Sequence, residues 1–205
     1  MKKAIIFFAV ALGASTTALA QVKFGAKAGL NVASVSDIKY NRGQLLTFES
    51  SGVATGFLAG VYVSYAFSER VDAQAEMAFS QQGGGFKLLL PDGSSVNRKL
   101  RQSYVNIPLL AAIKPVKRLP LSILVGPQLG FCVKRTFGED MGSEPGYKIF
   151  DLSAAFGVQY TLIEHLSLGL RYNVGVTPSV KLTDEPNSIK GARNNVLQLT
   201  VGWTF

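Results

Sequence analysis

The stretch Val22-Lys23-Phe24-Gly25-Ala26-Lys27-Ala28-Gly29-Leu30-Asn31-Val32-Ala33 decides the fold. Every second residue (Val22, Phe24, Ala26, Ala28, Leu30, Val32) is apolar, and those between (Lys23, Gly25, Lys27, Gly29, Asn31, Ala33) are small or polar. Successive side chains of a strand point to opposite faces, so a period of two marks a strand with two different surroundings. Seven further segments repeat the pattern: Phe57–Phe67, Val71–Ser80, Tyr104–Ile113, Leu121–Val133, Phe150–Tyr160, Leu166–Gly175 and Val196–Phe205. The last sets Leu197, Leu199, Val201, Trp203 and Phe205 against Val196, Gln198, Thr200, Gly202 and Thr204.

Two all-β architectures produce such alternation. A soluble barrel buries its apolar face and shows a charged one to water. A transmembrane barrel turns the apolar face to lipid and lines its lumen with small or polar residues. The second face decides between them: it is mostly Gly, Ala, Ser, Gln and Asn, too small and too uncharged for a solvated exterior. Small residues suit the crowded inside of an eight-stranded barrel. The expected fold is therefore an eight-stranded antiparallel up-and-down transmembrane β-barrel.

Composition agrees. The 205-residue chain is 47% hydrophobic and 17% charged, with 21 Gly, 8 Pro and one Cys, and its mean hydropathy is +0.22. A lone Cys excludes an internal disulfide framework. Beyond the N-terminus no apolar run approaches the ~20 residues of a membrane-spanning helix. Residues 1–20 read as a signal peptide: Lys2 and Lys3, an apolar run from Ala4 to Leu12, and the small-x-small site Ala18-Leu19-Ala20. Its removal leaves a barrel domain over 21–205 with 19 basic and 13 acidic residues, a net charge of +6.

Long links (Ser34–Gly56, Gln81–Ser103, Lys134–Ile149, Val176–Asn195) alternate with short ones (Ser68–Arg70, Lys114–Pro120, Thr161–His165). In the bacterial outer membrane, long loops face the exterior and short turns the periplasm, which puts both termini on the periplasmic side. Phe24, Tyr65, Phe67, Tyr160, Trp203 and Phe205 then form one aromatic girdle, and Phe57, Phe79, Phe131, Phe150 and Tyr172 the other. Pro108 and Pro127 fall inside segments and each lacks a ladder donor, so a bulge or local distortion is expected there.

At this point the chain resembles the PorT-like outer-membrane β-barrel family, abundant in Bacteroidota. The residues that carry the resemblance are Phe24-Gly25-Ala26-Lys27-Ala28-Gly29-Leu30-Asn31, Ala75-Glu76-Met77-Ala78-Phe79-Ser80-Gln81-Gln82-Gly83, Tyr104-Val105-Asn106-Ile107-Pro108-Leu109-Leu110 and Leu168-Gly169-Leu170-Arg171-Tyr172, with the final Phe205. The resemblance spans the mature chain and implies an eight-stranded barrel. It implies little about activity, since one branch assists protein secretion and most members have no assigned role.

Inward charges are few and therefore informative. Lys27, Glu76 and Arg171 are expected mid-strand, with Lys23 and Asp72 one layer lower. The third and seventh strands face each other across the lumen, so Glu76 is placed to bridge Lys27 and Arg171, as an ionic plug or as a gate. Leu197, Leu199, Val201, Trp203 and Phe205 look like the C-terminal assembly signal read by the barrel-insertion machinery. Lys87, Arg98, Lys99 and Arg101 form a basic cluster, either solvated loop charge or a contact for phosphates of outer-membrane lipid and lipopolysaccharide.

Material for an enzyme is thin. The one His, His165, falls in a short turn, and Cys132 faces inward with no His nearby. Asp92-Gly93 suggests a turn, and Gly83-Gly84-Gly85, lacking the Lys-Ser/Thr of a phosphate loop, reads as loop flexibility. No cofactor and no nucleic-acid partner is expected. The expected function is a non-enzymatic outer-membrane protein with a structural, binding or accessory role through its loops, serving an extracellular or secretion-complex partner. The alternative is a narrow channel for ions or small solutes, against which Leu58, Tyr62, Tyr104, Leu110 and Leu124 argue.

Overall fold

The computed structural model describes residues 21–35, 47–89, 94–116, 118–137, 149–177 and 193–205. The expected signal peptide, Asp92-Gly93 and most of the long links lie outside the described residues. Eight strands follow one another: β1 (Val22–Val35), β2 (Thr47–Ala66), β3 (Val71–Leu89), β4 (Ser95–Ile113), β5 (Leu121–Phe137), β6 (Phe150–Ile163), β7 (Leu166–Gly175) and β8 (Asn194–Thr204). Each pairs antiparallel with the next and β8 pairs with β1, which closes the barrel and leaves no edge.

The period of two becomes a division between inside and outside. Outward positions of β8 (Leu197, Leu199, Val201, Trp203) are exposed, while Val196, Gln198 and Gly202 between them are buried in the lumen. The same division holds round the wall, so the large apolar side chains form the barrel's outer skin. The aromatic bands follow the register. Phe79 pairs with Val105, Val105 with Phe131, and Phe131 with Phe150, a single hydrogen-bonded row across four strands. Within that row Phe131 and Phe150 meet edge to face at 5.6 Å, and Phe57 lies 5.8 Å from Phe79 at the row's start.

Strand length departs from expectation. The segments end correctly where short turns join them, but four run on at the far end. β2, β3, β4 and β5 have 20, 19, 19 and 17 residues, against 10 and 11 for β7 and β8. About 9–11 residues cross a membrane, so β2–β5 rise well beyond it as a one-sided wall. Gly83-Gly84-Gly85, read from the sequence as loop, belongs to this wall: these residues pair with Arg101, Leu100 and Lys99. The reason is physical. Above the membrane neither face meets lipid, so the apolar alternation stops while the hydrogen-bonded ladder continues.

The two prolines interrupt the ladder without adding a residue. Pairing of β3 with β4 skips Glu76/Pro108 and Met77/Ile107 and resumes in the same register. Between β4 and β5 it skips Leu109/Pro127 and Leu110/Gly126 in the same way. The distortion is thus a missing donor, not a bulge. Register shifts lie elsewhere, at Ser103/Tyr104 of β4 against β5, at Ser50/Gly52 and Val53/Leu58 of β2 against β3, and at Thr161/Ile163 of β6 against β7.

Candidate functional site

Three inward charges meet in mid-lumen. Arg171 of β7 donates to Glu76 of β3 through both terminal nitrogens, Nη1 to Oε2 at 2.9 Å and Nη2 to Oε1 at 2.7 Å. Such a bidentate fork is the strong geometry for a guanidinium and a carboxylate. Lys27 Nζ of β1 forms an ion pair with Oε2, and Gln74 Nε2 donates to Oε1 at 2.6 Å. The Glu76 side chain is fully shielded from solvent, so these four donors replace its hydration.

Glycines make room for the long cations. Lys27 is flanked in register by Gly60 of β2 and Gly202 of β8. A Cβ at Gly60 would lie 2.6 Å from both Cα and Cβ of Ala78 and against the Met77 carbonyl. Arg171 stands beside Gly157 of β6, where a Cβ would come within 2.9 Å of the Arg171 Cα. The small residues let the lysine and arginine stems cross a lumen that ordinary side chains would fill.

The other two inward charges do not join. Asp72 is bonded to Lys114, at 2.9 Å through Oδ1 and 2.7 Å through Oδ2, at the turn end of the barrel. Lys114 lies just beyond its strand, outside the alternation, which is why the sequence offered no such partner. Lys23 is exposed at the same rim.

Buried side chains lie above and below this group. Toward the turns, the Tyr62 hydroxyl bonds Thr204 Oγ1 at 2.7 Å, and Leu110, Ala112, Leu124 and Ala155 form an apolar cluster. Toward the far end, Asn31 donates to Ser80 Oγ at 2.9 Å and accepts from Gln198 at 3.2 Å. Gln82 also donates to Ser80 Oγ at 2.9 Å, and Asn194 bonds Gln82. Sequence reasoning passed over this amide network, although Asn31, Ser80 and Gln198 all hold inward positions that the alternation marks.

The remaining candidates separate. Cys132 is buried beside β4, with Sγ 3.7 Å from the Lys134 carbonyl oxygen. His165 sits in the β6–β7 turn, stacked on Trp203 and hydrogen-bonded through Nδ1 to the Thr204 carbonyl at 2.8 Å. Among the described residues no group of three His, Cys, Asp or Glu converges as a metal site. Leu197, Leu199, Val201, Trp203 and Phe205 all face outward, and the Phe205 amide donates to the Phe24 carbonyl at 2.8 Å. Arg101 and Lys134 are exposed on the raised wall, on strands β4 and β5. The register Arg101↔Thr136 and Ser103↔Lys134 makes them diagonal neighbours on one face.

A closed barrel with an apolar exterior, an aromatic row and a polar, ion-paired interior defines an integral β-barrel of the bacterial outer membrane. The chain belongs to the family described as outer membrane protein beta-barrel domain, whose model matches residues 14–181. Among solved structures it is similar to Neisserial surface protein A (NspA), at 16% identity over 89% of this chain and 97% of that one, TM-score 0.55. It is similar also to Ail, the attachment invasion locus protein of Yersinia pestis, at 16% identity over 90% and 99% of the two chains, TM-score 0.52. OprG from Pseudomonas aeruginosa follows at 13% identity over 89% and 95%, TM-score 0.53. At such identities the likeness is one of fold. No curated protein matches the chain.

Proposed function

We propose that the protein is a non-enzymatic outer-membrane scaffold that binds an anionic partner outside the cell through the wall raised by β2–β5. In this reading residues 1–20 are a cleaved signal peptide and the short turns and both termini face the periplasm. The observation that carries the proposal is the asymmetry of strand length. Four neighbouring strands are nearly twice as long as β7 and β8, more than crossing the membrane requires. A wall held by main-chain hydrogen bonds displays side chains on a rigid support.

Charge supports an anionic partner. Arg101 and Lys134 project from one face just beyond the aromatic row, and Lys87, Arg98 and Lys99 belong to the same wall. Lipopolysaccharide phosphate is the partner this height suits. Ail, of similar fold, has been solved in complex with the heparin analogue sucrose octasulfate, a polyanion. The resemblance to PorT-like barrels adds an accessory role in secretion as the specific form of this function, and secretion genes beside this one would support it. The occluded lumen weighs against a channel, and the placement of His165 and Cys132 in separate layers supports a non-enzymatic role.

The test uses vesicles with and without lipopolysaccharide. Arg101→Glu with Lys134→Glu should lower lipopolysaccharide retention at least tenfold while the folded barrel still shows heat-modifiable migration. Equal retention by variant and wild type would overturn the anionic-wall reading.

A further inference from the structure

The triad at mid-lumen does not balance. Lys27 and Arg171 bring two positive charges and Glu76 one negative. Their donors are not used up either. An ammonium has three N–H groups, and Lys27 has one acceptor, Glu76, among the described residues. The Arg171 Nε is buried without a hydrogen-bond partner. Uncompensated charge in a water-poor interior is costly.

A residual cavity of about 10 Å³ lies against this group. Both cations line it, with Gln74, Gln159, Ser167 and Thr200; the Glu76 carboxylate stands outside it and no acidic residue takes part. The two hydroxyls are weakly engaged, Ser167 donating to the Gly202 carbonyl at 3.5 Å and Thr200 to that of Gly169 at 3.4 Å. Each can turn its proton inward at little cost. The cavity thus presents two cations and several neutral donors to one small occupant.

We propose that this cavity is a binding site for a single monatomic anion, a halide such as chloride. A water there would satisfy donors but leave the excess positive charge. A halide does both: it takes N–H and O–H donors from the polar part of the lining and brings the cluster to neutrality. Bound there, the anion locks β1, β3 and β7 to β6 and β8, so it fastens the lumen from within. This holds whether or not the outer wall binds polyanions.

Two measurements on the full-length mature barrel in zwitterionic detergent test the site. Crystals soaked in sodium bromide should show one anomalous peak bounded by Lys27, Ser167 and Thr200. The thermal midpoint in 150 mM chloride should exceed that in gluconate of equal ionic strength by roughly 2–4 °C, gluconate being too large to enter. Lys27→Met, which leaves the neutral Arg171–Glu76 fork, should abolish that difference. Should Lys27→Met fail to fold, Ser167→Ala with Thr200→Val, which keeps the triad intact, should lose at least half of it. Absence of a bromide peak in the wild type, or equal midpoints in chloride and gluconate, would overturn the site.

Discussion

Replacing Glu76 with Gln removes one charge and leaves the shape of the lumen intact. In the native barrel its carboxylate accepts from Arg171 twice, from Lys27 and from Gln74, with no solvent on the side chain. The amide keeps a single acceptor oxygen and turns an NH₂ toward donors. Two cations are then held together in the lumen with no counter-charge on the protein. Breaking a buried ion pair by removing one partner costs about 3–5 kcal/mol. In a domain of this size that is a fall of roughly 6–20 °C in the unfolding midpoint. Heat-modifiability in gels, or fluorescence of Trp203 in detergent, follows the transition. A companion variant isolates the cause. Lys27→Met, Glu76→Leu and Arg171→Met together remove every charge and refill the volume, and should recover most of the loss, because well-packed apolar replacements of buried ion networks are near neutral or stabilising. If Glu76→Gln melts within 2 °C or so of wild type, the triad does not hold the lumen together and the reasoning fails.

Deleting Phe205 should lower the amount of barrel in the outer membrane, since the outward face of β8 ends on it and its amide ties the C-terminus to Phe24; unchanged yield and migration would remove its assembly role. Gly60→Val should destabilise by about 1–3 kcal/mol through overpacking, because even its Cβ would lie 2.6 Å from Ala78. An unshifted melting midpoint would show that the lumen at Lys27 is looser than the register implies.

How far the sequence could be read depends on which solvent each strand meets. β7 is legible end to end, Leu166–Gly175, because it lies wholly between the two interfaces, where lipid demands apolar residues on one face. β3 is legible only to Ser80. From Gln81-Gln82-Gly83-Gly84-Gly85 onward no face meets lipid, the alternation vanishes, and the glycines look like a loop although Gly84 and Gly85 are paired on both sides and Gly83 with β4. The meeting of Lys27, Glu76 and Arg171 follows from parity and from β3 lying opposite β7. The Asp72–Lys114 bond does not, because Lys114 belongs to a turn where no periodicity says which way a side chain points.

The end of the lipid signal marks where the membrane stops. On β4 the outward residues run Ile113, Ala111, Leu109, Ile107, Val105 and then Ser103, Arg101. The change falls one pair above the row Phe79–Val105–Phe131–Phe150, where Gln81, Ser103 and Lys134 take the next outward places. At this level β5 carries its extra residue, Val133, where the register shifts between Ser103 and Tyr104. A bulge bends and twists the strand that carries it. Placed at the interface, it sends the upper part of β5 on a course independent of the membrane-bound part, and the reversed parity brings Lys134 to the outer face and Arg135 inward. The extra residue thus sits where the lipid-facing strand gives way to the cation-bearing wall. Removing Val133 would join Lys134 directly to Cys132 and leave it outward, opposite Ser103, so the upper wall should keep its charge pattern but lose the bend, and its pairing to β4 should change while the membrane barrel stays folded. Hydrogen exchange localised to 133–137 and 98–103 reads this directly. Protection there equal to that of the wild type would show that the bulge does not set the geometry of the wall.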